Sequence, residues 1–133
     1  GFISKASTRI KAYQPDCIIS AAVKPNLYSA RNTFGQEWDV WLAGGYIDWA
    51  VPMNYTMDLS TFDKNIQIMK ENLPEKYLDR VIMGIATYNQ NAENAGKKIY
   101  HSGKNDFSGI SILSYTVFRD EPSYANKLIK YLK

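Results

Sequence analysis

Gly45-Tyr46-Ile47-Asp48-Trp49-Ala50-Val51-Pro52-Met53-Asn54-Tyr55-Thr56-Met57-Asp58 changes character half-way along. Its first half is β-branched and aromatic, as a buried strand would be. Past Pro52 and Met53 it turns polar, with Asn54, Tyr55, Thr56 and Asp58 in quick succession. A buried strand opening into hydrogen-bonding side chains is the layout at the mouth of an α/β barrel, where loops after the strand C-termini carry the ligand site.

Three other stretches read the same way. Cys17-Ile18-Ile19-Ser20-Ala21-Ala22-Val23 runs into Lys24-Pro25-Asn26 and a loop carrying Tyr28, Arg31 and Asn32. Arg80-Val81-Ile82-Met83-Gly84-Ile85-Ala86 runs into Thr87-Tyr88-Asn89-Gln90, and Gly109-Ile110-Ser111-Ile112-Leu113-Ser114 into Tyr115-Thr116. Strand starts at Cys17, Tyr46, Arg80 and Gly109 are 29, 34 and 29 residues apart.

Helical periodicity fills the gaps. Ile3, Ala6, Ile10 and Tyr13 share one face of a first helix over 2–13, stopped at Gln14-Pro15-Asp16. A short helix over 36–43 carries Trp38, Trp41 and Leu42 and ends at Gly44-Gly45. Ser60 is read as the N-cap of a helix with Phe62, Ile66 and Met69 on its apolar side, with Asp63 three residues further on. A polar helix follows over 91–101, and Pro122 opens a last one bearing Tyr124, Leu128, Ile129 and Leu132. One helix followed by four βα units predicts an α/β fold with a parallel sheet. Two architectures fit: a free-standing doubly wound sheet, or half of an eightfold barrel, which needs about 250 residues when whole. The 133 residues suffice for a single, partial domain of the second kind.

Composition removes several functions. Basic residues number 16 and acidic 13, for a net charge of +3, and the basic ones are scattered, so no nucleic-acid stripe forms. Cys17 and His101 are each alone, which leaves neither a disulfide framework nor a zinc cluster, and no cofactor or metal site is expected. Cys17 reads as a small core residue and His101 as a surface residue near a helix end. No strand is followed by a Gly-rich phosphate loop, which disfavours a nucleotide-using protein. No apolar run has membrane-spanning length, and Gly1-Phe2-Ile3-Ser4 enters a helical pattern with no signal-peptide character. Ten Tyr, five Phe and three Trp are distinctive. Tyrosine joins a flat apolar face to a hydroxyl, a combination suited to sugar rings.

The ordered set resembles the C-terminal half of the glycosyl-hydrolase-like family 10 domain, an extracytoplasmic bacterial barrel family. The stretches that carry the resemblance are Ile10-Lys11-Ala12-Tyr13-Gln14-Pro15-Asp16, Ile19-Ser20-Ala21-Ala22-Val23-Lys24-Pro25-Asn26, Trp38-Asp39-Val40-Trp41-Leu42, Gly45 to Tyr55, and Gly109-Ile110-Ser111-Ile112-Leu113-Ser114-Tyr115. The resemblance implies that the strands are the fifth to eighth of a TIM-type (β/α)8 barrel that hydrolyses glycans, possible cell-wall polysaccharide among them, and that the chain is secreted, periplasmic or on the cell surface. It also implies that the acidic residues doing the chemistry end the fourth strand, ahead of Gly1. Met53-Asn54-Tyr55 is similar too to the sixth-strand Met-x-Tyr of chitinase-type family-18 hydrolases. That family ends its eighth strand in Trp, whereas Tyr115 stands here.

Glycoside hydrolysis uses two carboxyl groups roughly 5 to 10 Å apart. Asp58 is the one carboxylate candidate clearly at a strand end; Glu37, Asp39 and Asp120 are less well placed, and Asp48 sits at the opposite, stability end. The expected substrate-binding set is Lys24 and Asn26 after the first strand, Asn54 and Tyr55 after the second, Tyr88 and Asn89 after the third, and Tyr115 after the fourth. Lys24 would hold a sugar carboxylate or orient a catalytic acid. The alternative function is a non-catalytic carbohydrate-binding or assembly module. The resemblance implies a glycan as one partner; four strands cannot close on themselves, so a homodimer, or a missing N-terminal half, is the expected cover for the open sheet.

Overall fold

The computed structural model describes residues 1–132 and has a mixed α/β fold. Helix α1 (Phe2–Tyr13) precedes strand β1 (Ser20–Val23), helices α2 (Leu27–Phe34) and α3 (Trp38–Ala43), and strand β2 (Trp49–Pro52). Helix α4 (Leu59–Asn72), a 3₁₀ turn (Glu75–Arg80) and strand β3 (Ile82–Ala86) follow. Helix α5 (Ala92–Gly103), strand β4 (Gly109–Leu113), and helices α6 (Thr116–Asp120) and α7 (Pro122–Ile129) complete the order. Strands β1 and β2 pair in parallel with Ser20 opposite Trp49, and β3 and β4 with Ile82 opposite Gly109. The pairs are joined by two isolated parallel bridges, Ala50 to Val81 and Met53 to Gly84.

Why β2 and β3 meet so closely is visible at Gly84. A Cβ there would lie 2.5 Å from the Pro52 carbonyl oxygen and 3.2 Å from the Tyr55 ring. Only glycine permits that approach.

Helices cover one face of the sheet. Val23, Ala50, Met83 and Ile85 are completely buried and join Trp38, Leu42, Phe62, Met69, Ala95, Ile99, Tyr124 and Leu128 in a single core. Strand side chains alternate, so their neighbours Ala22, Trp49, Val51, Ile82, Gly84, Ser111 and Leu113 point away from that core. None of these seven belongs to the core cluster, and Trp49 and Leu113 are exposed. The second face carries no charged side chain among the strand residues, and Ala22, Trp49, Ser111 and Leu113 on it are exposed.

Several boundaries differ from the sequence reading, each for a local reason. The loop expected after β1 contains α2, because the Asn26 side chain accepts from the Tyr28 and Ser29 amides and Gly35 closes the helix at φ 63°. The cap of α4 is Asp58 rather than Ser60: its carboxylate accepts from the Thr61 amide, and Ser60 and Thr61 donate their hydroxyls to it. Cys17 lies outside β1 and is half-buried, so it is not core. On α7 Tyr124 and Leu128 are buried, whereas Ile129 and Leu132 are exposed, since the helix ends before a full stripe forms.

Candidate functional site

Parallel pairing puts all four strand C-termini on one edge. β1 and β4 are the outermost strands, ~14 Å apart at ordinary strand spacing. Lys24 and Asn26 therefore sit at one end of the rim and Tyr115 at the other, with Tyr55, Tyr88 and Asn89 between them.

The central three form one unit. Asn89 donates through Nδ2 to the Tyr55 carbonyl oxygen at 2.9 Å, and its Oδ1 is buried without a partner. The Tyr55 and Tyr88 rings meet edge-to-face, centroids 6.4 Å apart. Tyr88 is 57% exposed, while Tyr55 is half-buried. Burial pushes the Tyr55 phenol above its ordinary value of 10.0, with Tyr88 adding to the effect. It is accordingly a hydrogen-bond donor at neutral pH.

The outer members behave differently. Tyr115 is 75% exposed and packs edge-to-face with Phe118. Lys24 lies with its ammonium 4.5 Å from the centroid of Phe34. Its backbone is fixed from both sides: the amide donates to Gln36 Oε1, and the carbonyl accepts from the indole of fully buried Trp38. Asn26 spends its side-chain oxygen on the α2 cap.

Two expected site residues are committed elsewhere. Asn54 is completely buried; it donates to the Phe62 carbonyl at 3.2 Å and accepts from Asn65 Nδ2 at 2.9 Å. It anchors the rim to α4 from below and cannot reach a ligand. Asp58 is lowered to a pKa of about 2 by hydrogen bonds from the side chains of Thr61 and Ser60 and from the Thr61 amide. A carboxylate held that firmly ionised does not donate a proton at neutral pH.

Sequence reading missed the residues beneath the rim. Lys98, on α5, is 1% exposed and is the only charged side chain buried among the described residues. Its ammonium donates to the Met57 carbonyl at 2.8 Å and to Gln90 Oε1. Gln90 in turn donates to the Ala86 carbonyl at the end of β3. Desolvation lowers the Lys98 pKa, and the Asp58 charge opposes that shift. Thr87 and Ser114 exchange hydrogen bonds across β3 and β4, and the Tyr124 hydroxyl donates to the Thr87 and Gln90 carbonyls. The signal for Lys98 was its phase: Ala95, Lys98, Ile99 and Ser102 share one helical stripe. For Asn54 nothing local could tell, since its partners are on α4.

A cleft of about 260 Å³ opens at the rim between the 87–92 loop and α6–α7, bordered by Thr87, Tyr88, Gln90, Val117, Glu121 and Tyr124. A second, of about 340 Å³, is apolar and lies at the opposite end, beside Tyr100, Phe107, Ile110 and Tyr131. Among the described residues, no cluster of three or more His, Cys, Asp or Glu side chains could hold a metal ion. No helix is long and apolar enough to cross a membrane.

The chain matches no family model, no curated protein and no solved structure. Its function has to be read from this rim.

The edge offers exposed phenol faces and one cation over an aromatic ring. Polar groups set among aromatic surfaces suit a neutral, hydroxylated, partly apolar ligand.

Proposed function

We propose that the chain is one half of a (β/α)8-type barrel that holds a glycan at its C-terminal rim, while the catalytic acids belong to residues outside these 133. The carrying observation is the central trio: Asn89 ties its loop to the Tyr55 carbonyl, and the Tyr55 and Tyr88 rings meet edge-to-face with Tyr88 57% exposed. The exposed tyrosine face is a stacking surface for a sugar ring, and the phenol hydroxyls are donors to its oxygens. The resemblance to the glycosyl-hydrolase-like family 10 domain supports the same assignment, and with it an extracytoplasmic setting and O-glycosyl hydrolysis by the whole protein.

Titration calorimetry with neutral oligosaccharides tests the site. Wild type is expected to bind, and Tyr55→Ala to bind at least about tenfold more weakly, the worth of one lost stacking surface. Absence of binding by wild type, or equal affinity in the variant, would remove the glycan assignment.

The bare sheet face supports the half-barrel part. Uncharged, and exposed at Ala22, Trp49, Ser111 and Leu113, it suits a second layer of the same kind, and the outer edges of β1 and β4 are where that layer would pair. The isolated chain is therefore expected to sediment as a dimer that Trp49→Asp converts to monomer. A monomeric wild type would sink that corollary.

A non-catalytic carbohydrate-binding module is the second reading. It is favoured by the employment of Asp58 in a helix cap, which leaves no pair of free carboxylates at the central trio. Discovery of an acidic strand-end motif in the reading frame ahead of Gly1 would decide for the hydrolase.

A further inference from the structure

Lys98 is an anomaly. A buried ammonium is costly unless paired, and its replacement by an apolar side chain of similar size is often neutral or stabilising. Yet no carboxylate among the described residues lies within ion-pair distance of Lys98, and its two hydrogen-bond partners are uncharged. The core alone gives no reason for a lysine at this point.

Its partners give one. Met57 belongs to the loop after β2 that carries Tyr55, and Gln90 to the loop after β3 that carries Tyr88 and Asn89. Asn54 anchors the start of this loop to α4, but the Met57 side chain is 64% exposed, so the stretch around Met57 is held by its backbone. Gln90 passes the connection on to the Ala86 carbonyl, the last residue of β3. A second, independent tie between the same loops runs from Asn89 to the Tyr55 carbonyl. One ammonium thus fixes both loops to rigid α5 from beneath, at the pair of strands that share only two bridges.

We infer that Lys98 is the positioning residue of the rim: its ammonium sets the spacing of the 54–58 and 87–91 loops, and with it the Tyr55–Tyr88–Asn89 constellation. It touches no ligand. Being a long, flexible stem ending in several donors, lysine can reach two acceptors on different loops, which no apolar residue can do. The ligand-binding consequence rests on the glycan assignment above; the clamp itself does not.

The test is Lys98→Met, which keeps the stem and removes the donors. Amide hydrogen exchange, read by mass spectrometry on peptides covering 54–58, 87–91 and the core strands, is measured beside thermal melting. The expected outcome is at least about tenfold faster exchange in both loops, unchanged exchange in β3, and a melting temperature within about 4 °C of wild type. In calorimetry the variant should lose about tenfold in oligosaccharide affinity through the loops it loosens. Gln90→Leu, which cuts only the β3 arm, should loosen 87–91 and leave 54–58 as in wild type, and the double variant should add little to Lys98→Met. Unchanged loop exchange in Lys98→Met overturns the clamp. So does faster exchange spread evenly over the core with a collapse of the melting temperature, since that is the mark of an ordinary structural residue. Loosened loops in a protein that binds no oligosaccharide would uphold the clamp and remove the glycan assignment instead.

Discussion

The two ends of the sheet handle their polar groups in opposite ways. At the strand N-termini one paired network ties β1, β2 and the turn before β3 together. Asp48 accepts from the Ile19 amide at 2.8 Å and from Lys11 at 3.1 Å, and Lys11 also donates to the Cys17 carbonyl. Arg80 donates to the carbonyls of Asp48, Leu42 and Ile47. At the C-termini more is left open: Lys98 pairs with no carboxylate among the described residues, and Tyr88 and Tyr115 are exposed. Dense pairing at one end gives stability, and exposed aromatic surface at the other is what a ligand would use.

That contrast can be broken experimentally, and the largest effect belongs to the paired end. Arg80→Ala removes donors from three carbonyls at once and is expected to cost about 3 kcal/mol in urea unfolding. Oligosaccharide affinity should stay within about twofold of wild type. A variant that unfolded normally yet bound poorly would erase the distinction between the ends. Tyr55→Ala should show the opposite pattern, with a stability loss of about 1–2 kcal/mol for a half-buried aromatic and the larger loss in binding.

The smallest effect is on the pH dependence of stability. The folded pKa of Asp58 is about 2, below the ordinary aspartate value of 3.8. A depressed carboxylate stabilises the fold above its unfolded pKa and stops doing so as pH falls through the folded one. The contribution is therefore lost between 3.8 and about 2. Melting temperatures followed across that window should fall less steeply in Asp58→Asn than in wild type. Asp48 is lowered in the same direction, chiefly by the Ile19 amide, and its share of the fall should persist in that variant. Equal slopes in both proteins would show that the Asp58 cap carries no measurable linkage.

The strands and their order were legible because β-branched runs at a regular interval leave few alternatives. Helix α2 was not: only Leu27 and Ala30 face the core, and Tyr28, Arg31 and Asn32 read as loop. Tyr55, Tyr88 and Asn89 were read as rim residues from their place just after a strand, and the parallel strands bring those places to one edge. Asn54 occupies the same kind of place and faces inward. Its burial depends on Asn65 and Phe62, and a contact between β2 and α4 has no signature in either stretch alone. Lys97 and Lys98 are neighbours of the same type, yet one pairs with Glu93 at the surface and the other is buried. The helical phase separates them; composition does not.

Gly84 carries one further consequence. The sheet is two stiff ladders stitched at two points, and the stitch nearest the rim exists because residue 84 has no side chain. That makes the ribbon resemble an open book with its spine between β2 and β3. The angle between the pages sets how far the first and last strands stand apart, and so how wide a guest the rim can span. Bulk at the spine would force the book towards flat, changing the reach of Lys24 and Tyr115 without touching either.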